Sequence, residues 1–281
     1  MNRSIRPLTL RRIIEVADLA SQELRLNSDL LCRRLGVRKR RAREILLELA
    51  QMHFLSGSES CFSVTDIARE ALEHYQREDW YGIHKILYEQ NDFYRLLIDT
   101  LSSPVALSKQ ELLQKLSAAS HLNFNLTAID TVCDWAERLA TVQRNLYTNR
   151  YYLISKDQSH NFALETQRCY EKLNIELRPG LKLEYVEIAR LREDVCENLR
   201  IAREVFDKAF ESMIQSMVGK IDLCGAPITT TAKQIPSTLK IIERSGKQPI
   251  LSPKYSVIRE GKGIEISGRV YHYVAFFVGG E

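Results

Sequence analysis

What this chain lacks narrows its nature before any motif is considered. No segment approaches the roughly 20 consecutive apolar residues that a membrane-crossing helix needs. Residues Met1-Asn2-Arg3-Ser4 lead into an amphipathic helical pattern and not into a secretory leader. The expectation is a cytoplasmic protein with no membrane contact. Six cysteines, at 32, 61, 133, 169, 196 and 224, form no Cys-x-x-Cys pair and stand near no histidine couple. Several fall on apolar positions of helical patterns, so buried reduced thiols are expected, with neither a disulfide framework nor a zinc centre.

Enzyme signatures are missing as well. There is no G-x-x-x-x-G-K, no G-x-G-x-x-G after a strand, no H-E-x-x-H and no G-x-S-x-G. The histidines at 53, 74, 84, 121, 160 and 272 are scattered singly. Acidic groups such as Asp66 with Glu70, or Glu193 with Asp194 and Glu197, lie at helical spacing and read as solvated faces. A non-catalytic chain without cofactor or metal is the expectation.

What is present is ordinary globular material, 281 residues with 44% hydrophobic and 27% charged side chains, enough for two or three domains. Its charge is uneven. Residues 1–52 hold 12 Lys and Arg against 6 Asp and Glu, a net +6, whereas the whole chain is +4 and residues 53–281 therefore sum to −2. A localised basic surface suits a polyanion, because each neutralised phosphate releases a condensed counterion.

The basic residues concentrate where a helix-turn-helix pattern lies. In Ser28-Asp29-Leu30-Leu31-Cys32-Arg33-Arg34-Leu35-Gly36-Val37, Ser28 or Asp29 can cap a short helix, Leu31, Cys32 and Leu35 share a face, and Gly36 supplies a left-handed stop. The next helix places Ala42, Ile45, Leu46 and Leu49 on a buried stripe. Arg38, Lys39, Arg40, Arg41 and Arg43 remain on its outer face and at its start. Phe54-Leu55 and Cys61-Phe62-Ser63-Val64 flank a polar tip, Ser56-Gly57-Ser58-Glu59-Ser60, as a hairpin, and Thr65-Asp66 caps a helix through Tyr75. Residues 28–75 resemble the prokaryotic winged-helix superfamily, through Leu31-Cys32-x-x-Leu35-Gly36-Val37. His53 stands where that family often has glycine before the hairpin, a mild departure because histidine tolerates left-handed geometry. The resemblance implies that Arg40, Arg41 and Arg43 reach groove edges or flanking phosphates of double-stranded DNA. Arg38 and Lys39 would anchor the backbone near the helix start, with Ser58 on the wing.

Before this motif lies a helix over 8–26, with Leu10, Ile13, Ile14, Ala17 and Leu24 as its buried face; after it, 78–88 reads as a linking helix. The order then recurs. Helices are expected over 92–101, from Ser108 to Leu116, and from a Thr127 cap carrying Ile129, Val132, Cys133, Ala136 and Leu139, followed by a hairpin of 141–144 with 151–154. Here Asp130, Asp134 and Glu137 replace the arginines, and residues 78–155 hold 7 basic against 9 acidic side chains. Packing, dimerisation or partner contact suits this second unit better than groove reading, with Trp135 as a core aromatic.

Residues 156–177 read as a connecting helix ended by Arg178-Pro179-Gly180. A third helical unit follows: 186–199, then 202–217 with Val205, Phe206, Ala209, Phe210, Met213 and Met217 on its apolar face, and strands at 220–224 and 269–277. Between the strands, residues 225–268 form a long insertion with seven basic and three acidic side chains. Lys233, Lys240, Arg244, Lys247 and Lys254 are either an arm that follows DNA or part of a surface insertion with small strands of its own.

These readings combine into a mainly α chain with small β-hairpins, arranged as tandem winged-helix domains. They are a DNA-binding domain over 1–77, a second winged-helix-like domain over 78–155, a helical linker over 156–179 and a C-terminal winged-helix-like domain over 180–281. The resemblance implies a double-stranded DNA-binding regulator of transcription or of an operon, a homodimer or a binder of protein through its middle domain. The alternative is an adaptor subunit of a larger nucleoprotein complex serving chromosome maintenance, replication or phage defence.

Overall fold

Thr9 accepts a bond from the Arg12 N–H and starts α1 (Leu10–Gln22), which buries Leu10, Ile13, Ile14, Val16, Ala17 and Ala20. The computed structural model describes residues 5–23, 25–155, 161–177, 185–225 and 263–277, so Leu24, Arg178-Pro179-Gly180 and most of the insertion lie outside the described residues. Contacts divide the chain into two units, Met1–Gln143 with Tyr151–Leu153, and Arg144–Arg150 with Ile154–Glu281. Each is described by itself.

In the first unit, α2 (Ser28–Leu35) is capped by Asn27, whose side chain accepts from the Leu30 N–H at 2.9 Å, and not by Ser28 or Asp29. The helix simply begins one residue earlier, and Asn27 keeps the extended backbone that a cap requires. Gly36 ends it at φ 64°, ψ 24°. Helix α3 (Lys39–Gln51) then buries Ala42, Ile45, Leu46 and Leu49, the expected stripe, together with Glu48. His53 takes φ 58°, and the chain enters the antiparallel hairpin β1 (Leu55–Ser58) and β2 (Cys61–Val64). Leu26, in the connection from α1 to α2, exchanges two backbone bonds with Phe62 at 2.9 and 2.8 Å. Thr65 caps α4 (Asp66–Gln76), and Asp79 caps α5 (Trp80–Gln90).

The same order follows in α6 (Asp92–Leu101), α7 (Lys109–Ala119), α8 (Leu126–Arg138) and the hairpin β3 (Val142–Arg144) with β4 (Tyr151–Leu153). Leu107 pairs with Tyr151 as Leu26 does with Phe62. Ser108 and Glu111 form a capping box for α7. Asn125, not Thr127, caps α8, two residues ahead of the expected start. Trp135 is fully buried and donates from Nε1 to the Leu8 carbonyl at 2.6 Å.

The second unit comprises α9 (Phe162–Leu177), β5 (Val186–Glu187), α10 (Ile188–Leu199), α11 (Arg203–Ser216), β6 (Ile221–Cys224), β7 (Ile264–Ile266), β8 (Arg269–Tyr271) and β9 (Tyr273–Phe276). Its main sheet has the order β5-β9-β6, so a short strand ahead of two helices again pairs with the last strand. Two expectations change here. Residues 186–187 are strand before the helix begins, and 269–277 is not one strand but two. His272 separates them because its N–H donates to Cys224 and its carbonyl accepts from Ile188, which leaves β8 to pair with β7 and β9 with β5 and β6. On α11, Phe206, Phe210 and Met213 are buried.

The solvated face expected for Glu193 is overturned. Glu193 is fully buried, because Arg203 at the start of α11 and the loop 144–150 close over it. Helical spacing places an acid on one side of a helix but does not reveal what will cover that side. Asp66 and Glu70, by contrast, are exposed. Cys133, Cys169 and Cys196 are buried, while Cys32, Cys61 and Cys224 are half-buried. Among the described residues, no helix is long and apolar enough to cross a membrane.

Candidate nucleic-acid interface

The left-handed turn at Gly36 frees α3 to start in a new direction, and Arg38 occupies its N-cap position with extended backbone and no side-chain cap bond. Backbone N–H groups of the first turn and the positive end of the helix dipole therefore lie beside the basic side chains. Arg38, Lys39, Arg40 and Arg43 are exposed, and Arg41 is half-buried.

Each of four cations has an acidic neighbour. Lys39 Nζ lies 2.8 Å from Asp29, and Arg40, whose side chain is 92% exposed, lies 3.3 Å from Glu44. Arg43 reaches across to the hairpin tip, 2.6 Å from Glu59. Arg41 shares Glu44 and also donates to the Pro7 carbonyl. The hydrogen bond that Lys39 donates to Asp29 raises its ammonium, and the one that Arg43 donates to Glu59 raises its guanidinium. Arg41, followed by Arg40, holds the Glu44 carboxyl below its ordinary value. These exposed pairs are weak in water and exchange readily for another anion.

Lys39, Arg40 and Arg43 converge with Ser28 and Glu59 around a concavity of about 350 Å³, floored by Leu46 and Phe62. The Leu26–Phe62 backbone pair fixes that floor against the connection from α1. Ser58 sits on the exposed end of β1 with its hydroxyl 2.9 Å from that of Ser60, outside this lining. Arg41 departs from the expected cluster. It lines a separate cleft of about 460 Å³ with Pro7, Leu8, Asp130 and Asp134, because its place on the helix turns it toward the lead-in to α1. Lys233, Lys240, Arg244, Lys247 and Lys254 lie outside the described residues.

The acidic partners escaped the sequence reading, although Glu59 is the sole charge in the hairpin turn. Asp29 carried no such signal; its pairing with Lys39 spans the helix-helix turn.

Helices α8 and α11, which like α3 lead into a strand, differ at their starts. Helix α8 presents Thr127 and Asp130 to solvent, with Asp130 2.5 Å from Lys109 and Asp134 2.9 Å from Arg138. Helix α11 begins with Arg203, which is buried against Glu193. Among the described residues, α3 alone of the three begins with exposed basic side chains.

Compared with protein-family models, curated proteins and solved structures, the chain matches none of them.

Proposed function

We propose that this chain is a double-stranded DNA-binding protein of winged-helix type, with α3 of the first copy as its groove-reading helix. The observation that carries the reading is the contrast among the three equivalent helices: α3 starts with Arg38, Lys39, Arg40 and Arg43 in solvent, α8 is acidic there, and α11 buries its first arginine. A helix N-terminus rich in arginine provides both the dipole and the forked donors that phosphate oxygens and guanine edges accept. Arg40, more exposed than Lys39 or Arg43, meets the groove, while Arg38 and Lys39 hold the flanking backbone. A role in transcriptional or operon regulation follows for such a protein when it binds as a symmetric dimer.

The test is binding to duplex DNA as salt is varied. With several phosphates contacted, affinity falls by roughly 10³ or more between 50 and 200 mM salt. Affinity that is flat across that range would remove the reading.

A second reading, an adaptor within a larger nucleoprotein assembly, draws support from the acidic outer face of α8, which suits protein and repels phosphate. Selection of bound fragments from random duplexes, paired with molar-mass measurement, separates the two. A recovered consensus on a dimer favours the regulator; weak, sequence-indifferent binding with a copurifying partner favours the adaptor.

A further inference from the structure

We infer that Glu59, at the tip of the first hairpin, limits the affinity of α3 for DNA phosphate by holding Arg43, an inference that rests on the DNA reading above. The two side chains come from separate elements, Arg43 from the second turn of α3 and Glu59 from the turn between β1 and β2, and meet at 2.6 Å over the concavity that Lys39 and Arg40 share. Both are about half exposed, at 61% and 49%, so the pair is not required by burial. Its position is nonetheless fixed. β1 and β2 are in full antiparallel register from Leu55–Val64 to Ser58–Cys61, and the Leu26–Phe62 pair ties β2 down, so the carboxylate is carried on a braced hairpin.

The consequence is electrostatic. A phosphate approaching the start of α3 competes with a carboxylate already in place, and it meets that carboxylate's repulsion if Arg43 is drawn away. Arg38 has no carboxylate within ion-pair distance among the described residues, and Arg40 pairs with Glu44 along its own helix, behind the exposed end. Lys39 pairs with Asp29 across the turn between α2 and α3, so Arg43 is the one of these four cations whose counter-charge stands on the hairpin. Non-specific attraction, which depends on the number of cations offered to phosphate, is reduced by one contact, and the share of affinity that depends on the sequence rises accordingly.

The experiment compares wild type, E59Q, R43A and the double variant R43A/E59Q on one random-sequence duplex across a salt series, with E73Q as a control. Glu73 is an exposed acid on α4 paired with Arg77, so E73Q makes the same change in net charge elsewhere. Expected are about fivefold tighter binding by E59Q at 100 mM salt and a steeper salt slope by about 0.9, the signature of one added phosphate contact. R43A weakens binding, because the Glu59 carboxylate is then left unpaired, R43A/E59Q shows no gain over wild type, and E73Q leaves affinity within about twofold. Equal affinity and slope in wild type and E59Q, a gain that persists in R43A/E59Q, or an equal gain from E73Q each overturns the inference while leaving DNA binding intact. Absence of salt-dependent binding by wild type overturns both.

Discussion

Arg203 grips Glu193 with two parallel contacts, Nε to Oε1 at 2.5 Å and Nη2 to Oε2 at 2.7 Å, with both side chains withdrawn from water. The pair is a junction as much as a bridge. Arg203 also donates to the Arg144 carbonyl at 2.6 Å, Glu193 accepts from the Leu146 N–H at 3.0 Å, and Asn145 reaches Glu197 at 2.7 Å, so the loop 144–150 is held to α10 and α11 by charged partners.

Removing one partner strands the other as a buried charge. Glu193→Ala should destabilise the second unit by about 3–5 kcal/mol, whereas replacing both residues with apolar ones of similar volume should cost less than either single change. Urea denaturation checks the order; a loss below about 1 kcal/mol in Glu193→Ala would mean that water reaches the pair.

Two glycines flanking the candidate interface should respond differently to alanine. Gly36 has a positive φ but open space around an added Cβ, so Gly36→Ala should cost about 1–2 kcal/mol of left-handed strain. At Gly57, φ is 120° and an added Cβ would lie 2.3 Å from the Cys61 carbonyl oxygen, a backbone atom that cannot step aside. Gly57→Ala should cost about 2–5 kcal/mol, read as the larger drop in Tm.

Acid should weaken the corner between α4 and α5. The Gly82 N–H, followed by the His74 ring, holds the Asp79 carboxyl below its ordinary value. A depressed folded value contributes stability above the ordinary aspartate range and loses it as pH falls through the lowered one. Asp79→Ala should be less stable than wild type at pH 7, and the difference should close as pH falls from the ordinary aspartate value of about 4 through the lowered one. A difference that stays constant over that range would contradict the assignment.

Arg40 and Arg41, adjacent in sequence, should separate by assay. Arg40→Ala should weaken duplex binding by about fivefold or more with Tm unchanged, because the side chain is almost wholly in solvent. Arg41→Ala should leave binding within about twofold and lower stability by about 1–2 kcal/mol, since it removes the donor to Pro7 and the bond to Glu44. Reversal of the two phenotypes would place Arg41 in the groove.

Alkylation should sort the cysteines. Burial, reinforced by Glu165 and Asp194, pushes the Cys169 thiol up to about 12, and burial raises Cys196 too. Both remain neutral thiols at pH 8 and should resist iodoacetamide in the folded protein, with Cys32, Cys61 and Cys224 modified first. Rapid labelling of Cys169 at that pH would contradict its burial.

Local rules carried the stretch from α2 to β2 far. The stripe Ala42, Ile45, Leu46 and Leu49, the stop at Gly36, the left-handed His53 and the hairpin strands all follow from periodicity and backbone sterics within a dozen residues. Where the outcome depended on a partner distant in sequence, the pattern was silent. Glu193 looks like Glu70 along its own helix, and what separates them is a loop some 47 residues earlier and an arginine 10 residues later. The break at His272 likewise arises from strands on either side competing for its neighbours. Within the candidate site, the cations were visible as a run, whereas the turning of Arg41 toward Pro7 required the position of the chain 34 residues before it.

The hydrogen bond from Trp135 to Leu8 joins groups 127 residues apart, which gives the unit a timetable during synthesis. At about 5–20 residues per second, roughly 6–25 s separate the making of Leu8 from that of Trp135. For that interval the lead-in to α1 has no indole to receive it, and its carbonyl stays with water. A nascent chain halted before residue 135 thus carries α1 to α4 complete in sequence, with the lead-in held by Arg41 at Pro7 but not yet by Trp135 at Leu8, so α8 closes what α3 has begun.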